Sequence, residues 1–136
     1  MEISVVLKVL QTAAIAAVQG SSIPGLAIQA VDQTLDPIPG DGKWIEFVHI
    51  PNNGSDRYWD GNKVLQGIFR IILHWPVNKS AGYAPIRYIE ELAKSFDKDA
   101  LTAEGVEIYQ NPEFTGSVPT GNDIIYPLSL AYRSFR

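Results

Sequence analysis

From Gln66 to Pro76 the chain reads Gln-Gly-Ile-Phe-Arg-Ile-Ile-Leu-His-Trp-Pro. Side chains alternate across a strand, so Phe69, Ile71, Leu73 and Trp75 fall on one face and Ile68, Arg70, Ile72 and His74 on the other. The first set is wholly apolar and must meet a core. This run is the longest strand the pattern predicts, bounded by Val64 and stopped at Pro76. It therefore sets the axis of a sheet, and the remaining elements have to be read as its neighbours or its cover.

Trp44 to Ile50 alternates in the same way. Trp44, Glu46, Val48 and Ile50 face one side; Ile45, Phe47 and His49 face the other. Pro51 is expected to end this strand, and Pro51-Asn52-Asn53-Gly54-Ser55-Asp56 is dense in turn formers. The two strands are expected to be antiparallel neighbours joined by a protruding loop. Leu26 to Val31 reads as a short strand before a loop, 32–43, punctuated by Pro37, Pro39, Gly40 and Gly42.

Two segments have helical spacing. In the first, from about 2 to 18, Ile3, Leu7, Leu10, Ala14 and Ala17 form a stripe with Val6, Val9 and Ala13 beside it, and Gly20 supplies a stop. In the second, Pro85 suits a first helical turn. Ile86, Ile89, Leu92, Ala93 and Phe96 mark its apolar face, opposite Arg87, Glu90, Glu91, Lys94 and Lys98, with Glu90–Lys94 and Glu91–Lys94 pairs in support. Beyond it, Val106–Tyr109 and Phe114–Val118 read as short strands. Thr120-Gly121-Asn122-Asp123 reads as a turn, and Ile124–Phe135 as a last strand in which Pro127 forces a bulge or an edge position. The order predicts one α+β domain over 1–136, with an antiparallel sheet and two helices packed on one face. The alternative is a mixed sheet with one parallel pair.

Composition narrows the chemistry. The chain has no cysteine and two histidines, so disulfides, thiolate chemistry and a His-rich metal site are excluded. A net charge of −4 without a Lys/Arg run argues against nucleic acid as the main ligand. A charged fraction of 19% is low for a soluble domain and points to surface that meets another protein. The apolar N-terminal stretch carries Glu2 and Lys8, unlike a secretory signal. No run reaches the ~20 apolar residues that span a bilayer, and synthesis in the cytoplasm is expected.

Motifs for catalysis fail on spacing. Asp56, Asp60, Gly61 and Asn62 do not alternate as a calcium loop requires. Asn53-Gly54-Ser55 lacks the frame of a nucleophile elbow. Gly40-Asp41-Gly42-Lys43 is a tight turn rather than a phosphate loop, Glu90-Glu91 a solvated pair, and His49 and His74 are strand histidines with hydrogen-bond partners. No catalytic residue, cofactor or metal is expected. What stands out is Arg57-Tyr58-Trp59 in the 52–63 loop, residue types enriched at interface hot spots.

Trp44–Pro51, the loop ending in Gly61, Gln66–Pro76, the Gly82 loop and the helix ending in Phe96 together resemble the tail terminator (tail completion) family of long-tailed bacteriophages, over about residues 1–100. The resemblance implies a structural, non-enzymatic virion protein at the tail–head junction. It would form a closed homo-oligomer, a ring of six, that stops tube polymerisation. Its partners would be the tail-tube protein and the head-completion or connector proteins, with DNA met only through the ring lumen and no membrane involved. Under that reading the expected contacts lie in the 52–63 loop, at Arg57, Tyr58, Trp59 and Lys63, and in the 111–123 hairpin, at Asn111, Phe114 and Asn122. Alternatives are a head–tail adaptor or tail-tube subunit, or a small ligand-binding or enzymatic domain with a polar pocket near His49 and His74.

Overall fold

The structure is a computed structural model and describes residues 3–35, 37–52, 65–77, 83–97, 101, 104–121 and 123–134. The elements run α1 (Ile3–Gln19), β1 (Ala27–Gln29), β2 (Trp44–Asn52), β3 (Leu65–Pro76), α2 (Ala84–Ala93), β4 (Val106–Ile108), β5 (Glu113–Phe114), β6 (Val118–Pro119) and β7 (Asp123–Ser134). Among the described residues the strands form one sheet in the order β1-β2-β3-β7-β4, with β5 and β6 also laid against β7. The fold is α+β. β1 runs parallel to β2 and every other pairing is antiparallel, so the sheet is mixed with one parallel pair.

β3 is the axis that its sequence demanded. It pairs with β2 from Trp44↔His74 to Asn52↔Gln66, and with β7 from Leu65↔Ser134 to Pro76↔Asp123. Phe69, Ile71, Leu73 and Trp75 are all buried. They join Ile45 and Phe47 of β2, and Tyr126, Leu128, Leu130 and Tyr132 of β7, in one apolar cluster to which both helices contribute. Each fully buried large side chain contributes roughly 1.5–3 kcal/mol.

α1 buries Val6, Leu10, Ala14 and Val18; Leu10 and Ala14 of the expected stripe are buried with Val6 beside them, but Val18 is buried in place of Ala17, and Ile3 stays 40% exposed. The reason is in its composition. Lys8 is its one charge, so apolar residues occupy most of its circumference and periodicity does not single out the packed side. α2 ends at Ala93 rather than Phe96. The chain then tightens through i→i−3 bonds from Ser95 to Leu92 and from Phe96 to Ala93, which still carries Phe96 into the core. Tyr88, absent from the expected apolar face, is buried there and shares a 2.8 Å hydrogen bond with Ser21. Burial raises the Tyr88 pKa; the Ser21 bond opposes the rise and the Glu91 charge adds to it.

Both prolines expected to disturb strands are accommodated. Pro51 does not end β2, which continues to Asn52. The Ile50 carbonyl oxygen lies 2.8 Å from where a Cβ on Gly67 would sit. Even-numbered β2 residues therefore bond to β3, and the Pro51 nitrogen points away from it, beyond the stretch that β1 covers. Pro127 likewise holds a one-to-one pair with Ile72, so β7 is neither an edge strand nor bulged against β3. The irregularity lies in its other neighbour. From Phe114 to Val118 the outer chain advances four residues while β7 advances three, from Leu128 to Ile125. Gly116, at φ 102°, takes up the extra residue.

β1 is shorter than its apolar run because the chain is pulled off the sheet. The Gln11 side chain accepts the Val31 N–H, Gln29 accepts the Leu35 N–H, and Asp32 turns the backbone at φ 60°. The Gly40–Lys43 segment is the expected turn, with Gly42 N–H bonded to the Pro39 carbonyl and Lys43 N–H to Asp41.

Candidate functional site

Of the residues expected to make contacts, Arg57, Tyr58, Trp59, Lys63 and Asn122 lie outside the described residues. Asn111 is exposed between β4 and β5. Phe114 is half-buried and stacks on Tyr126, with ring centroids 6.3 Å apart, so its ring is engaged within its own subunit. The 111–123 segment is not one hairpin. β5 and β6 each pair with β7 rather than with one another, and the hairpin is the β6–β7 turn closed by Thr120 N–H to the Asp123 carbonyl at 2.9 Å.

The surface that sequence reasoning left unassigned is the second face of the sheet. Register and alternation place Trp44, Glu46, Val48 and Ile50 of β2 beside His74, Ile72, Arg70 and Ile68 of β3. These stand beside Ile125, Pro127, Ser129 and Ala131 of β7. A sheet packed on one side normally shows polar residues on the other. Here Val48, Ile68, Ile72, Ile125 and Ala131 are half-buried, Ile50 is 38% exposed, and Val118, opposite Ile125, is 48% exposed. The face is apolar along most of its length. A signal was available: Ile68, Ile72 and Ile125 occupy positions opposite the core in their strands.

Three polar features punctuate that face. At one end His74 lies between carboxylates on the two neighbouring strands, with Nε2 2.9 Å from Glu46 Oε1 and Nδ1 2.9 Å from Asp123 Oδ2. Trp44 stacks on the His74 ring at 3.7 Å, nearly parallel. Thr120 donates its hydroxyl hydrogen to Asp123. Burial works to raise the Asp123 pKa, but the hydrogen bonds from Thr120 and His74 and the His74 charge outweigh it and hold the carboxyl below its ordinary value. With two carboxylates set around one histidine, this end is net acidic.

In the middle Arg70 donates from Nε to Ser129 Oγ at 3.2 Å, and among the described residues no carboxylate lies within ion-pair reach of it. At the far end a concavity of about 450 Å³ is framed by Ile50, Ile68, Tyr109 and Ala131. Beside it Arg133 lies over the Tyr109 ring and forms a forked pair with Glu107 at 3.0 and 3.3 Å.

His49 and His74 do not converge. They lie on opposite faces of the sheet, and their strand partners set them five positions apart, roughly 17 Å along β2. The His49 ring bonds the Tyr132 hydroxyl on the core side, over Gly67. Burial lowers the His49 pKa, partly offset by the Asp32 charge, and burial raises the Tyr132 hydroxyl to about 12. Glu91 is not merely solvated: it accepts from Ser22 N–H at 2.8 Å and Ser22 Oγ at 2.7 Å, tying α2 to the turn after α1. Among the described residues neither expected Lys94 ion pair forms.

A second apolar surface belongs to α1. Val5, Val9, Ala13 and Ala16 line a groove of about 410 Å³ together with Leu101, with Lys8 and Glu104 at its borders. Val5 is 45% exposed.

No family model matches this sequence, and no curated protein is similar to it. A solved structure is similar in fold. It covers 98% of this chain and 96% of its own, with a TM-score of 0.75 at 16% identity, under a name that says nothing of function. That likeness establishes the fold alone.

Proposed function

We propose that this protein is a structural assembly subunit, a tail terminator that closes as a ring on the end of a bacteriophage tail tube. The observation that carries the assembly role is the second face of the sheet. It is apolar along three adjacent strands and holds an arginine with no carboxylate partner among the described residues. Burial of such a face against protein gains free energy in proportion to the apolar area removed from water. The narrower reading, a terminator, is supported by the resemblance of Trp44–Pro51 and Gln66–Pro76 to that family. The same segments build β2 and β3, the strands that carry the face.

The ligand-binding alternative predicts a pocket shared by His49 and His74, and the sheet separates the two. The ring would be made of copies of this chain, six by the resemblance. One of its surfaces would meet the tail-tube protein and the other the head-completion proteins. Electron microscopy of particles made without this chain tests the role. Overlong tails lacking heads are expected, because only a length-stopping cap gives that product. Tails of normal length left unattached would move the role to head–tail joining, no tails would indicate a tube subunit, and intact virions would refute an assembly function.

A further inference from the structure

The two apolar surfaces, the outward sheet face and the α1 groove, carry different and complementary charges. We propose that they bind each other between copies: the sheet face of one subunit seats on the α1 groove of the next. This rests on the assembly reading and names its subunit contact. A contact between two different patches is heterologous and propagates head to tail, which is what a ring requires; a contact of one patch with itself would stop at a dimer.

Three observations select a second copy as the occupant. The first is charge. Arg70 stands in the middle of the sheet face without a carboxylate partner among the described residues, and Glu104 borders the groove. The Glu46–His74–Asp123 end is net acidic, and Lys8, the one charge of α1, borders the same groove. Seating the face on the groove sets Arg70 against Glu104 and the acidic end against Lys8. Stacking two sheet faces would leave both arginines to be satisfied by carboxylates already bound to His74.

The second is relief. Ile50 projects from the sheet face at 38% exposure. The groove of about 410 Å³ has walls mostly of valine, alanine and leucine, with Thr12, Lys8 and Glu104 as its polar lining, and would hold on the order of a dozen waters at ~30 Å³ each. Displacing them from apolar walls is favourable. The third is size. Three strands of up to 12 residues present a footprint of roughly 40 by 15 Å, about 600 Å², approaching the ~800 Å² per partner of a standard interface.

Charge reversal tests the contact. The oligomeric state of the wild-type chain, Arg70→Glu, Glu104→Arg and the double variant is measured by native mass spectrometry and sedimentation velocity. Thermal melts confirm folding. Each single reversal is expected to weaken assembly by on the order of 30-fold or more, and the double variant to recover most of that loss. Lys8→Glu, on an exposed position of α1, is a further probe expected to weaken assembly, and with Glu104→Arg it decides the matter if Arg70→Glu fails to fold. Wild-type assembly that the folded variants leave intact, or that the double variant does not recover, overturns this contact while leaving the assembly role standing. A wild-type chain that stays monomeric up to about 100 μM also overturns this contact, while the assembly role falls only if particles made without the chain are intact.

Discussion

Replacing Gly67 by alanine sets two effects of opposite sign against each other. Alanine restricts the unfolded chain, which alone would stabilise the protein by about 0.4–1 kcal/mol. In the folded state the new Cβ would meet the Tyr132 hydroxyl at 2.7 Å, the Ile50 carbonyl oxygen at 2.8 Å and Tyr132 Cε1 at 3.0 Å. The hydroxyl is the end of a side chain, but Tyr132 is fully buried and bonded to His49 and has no room to give. The Ile50 oxygen is backbone in the β2–β3 ladder and moves only with the sheet. Overpacking of this kind costs about 1–3 kcal/mol, so the net is a loss of about 1–2 kcal/mol. For a domain of this size that lowers Tm by roughly 3–10 °C. Thermal and urea unfolding followed by circular dichroism would measure it. Tyr132→Phe in the Gly67→Ala background removes the nearest clash and leaves those with the Ile50 oxygen and the ring Cε1. It should recover part of the loss, with a coupling of at least about 0.5 kcal/mol. An unchanged or raised Tm for Gly67→Ala would refute the reasoning, because the entropic term would then be the larger.

Two further predictions concern pH. The folded-state pKa of Asp123 is depressed below 3.8, so its contribution is present above that value and lost as pH falls through the lower folded value. Asp123→Asn should therefore lower the urea midpoint at pH 6, with the gap to wild type closing as the pH falls below about 3.8; a gap constant across that window would contradict the Thr120–Asp123–His74 network. The folded-state pKa of His49 is lowered from 6.5, so the unfolded chain binds more protons below that pH and stability falls as the medium is acidified. His49→Gln should flatten the difference in urea midpoint between pH 7.5 and pH 5.5, and an equal slope in both proteins would show that His49 is not the group responsible.

Much of the frame was legible because a strand's two faces are written directly into its alternation. Phe69, Ile71, Leu73 and Trp75 could only be core, and they are. Pro85 and the Gly42 turn were likewise local matters of missing donors and positive φ. Where two arrangements share one local pattern, legibility ended. Pro51 and Pro127 each carry a missing N–H, but whether that matters depends on which neighbour the nitrogen faces, and register decides that. The α1 stripe was right at Leu10 and Ala14 and wrong at its ends, because valine and alanine surround the helix. The candidate site was hidden for a related reason: Ile125 lies far in sequence from Ile68 and Ile72, and only the β3–β7 pairing makes them one surface.

By itself the sequence determined that this chain forms α+β structure around one long strand, that cysteine chemistry is closed to it, and which residues of that strand are buried. These follow from residue type and from periods of two and of about four. Tertiary structure alone decided that β7 is central, that His74 bridges carboxylates from two neighbouring strands, that His49 lies on the other side of the sheet, and that Arg70 stands in an apolar face. Those properties belong to pairs of residues brought together by hydrogen-bond register, and register is fixed by the simultaneous burial of all the strands, which no single segment specifies.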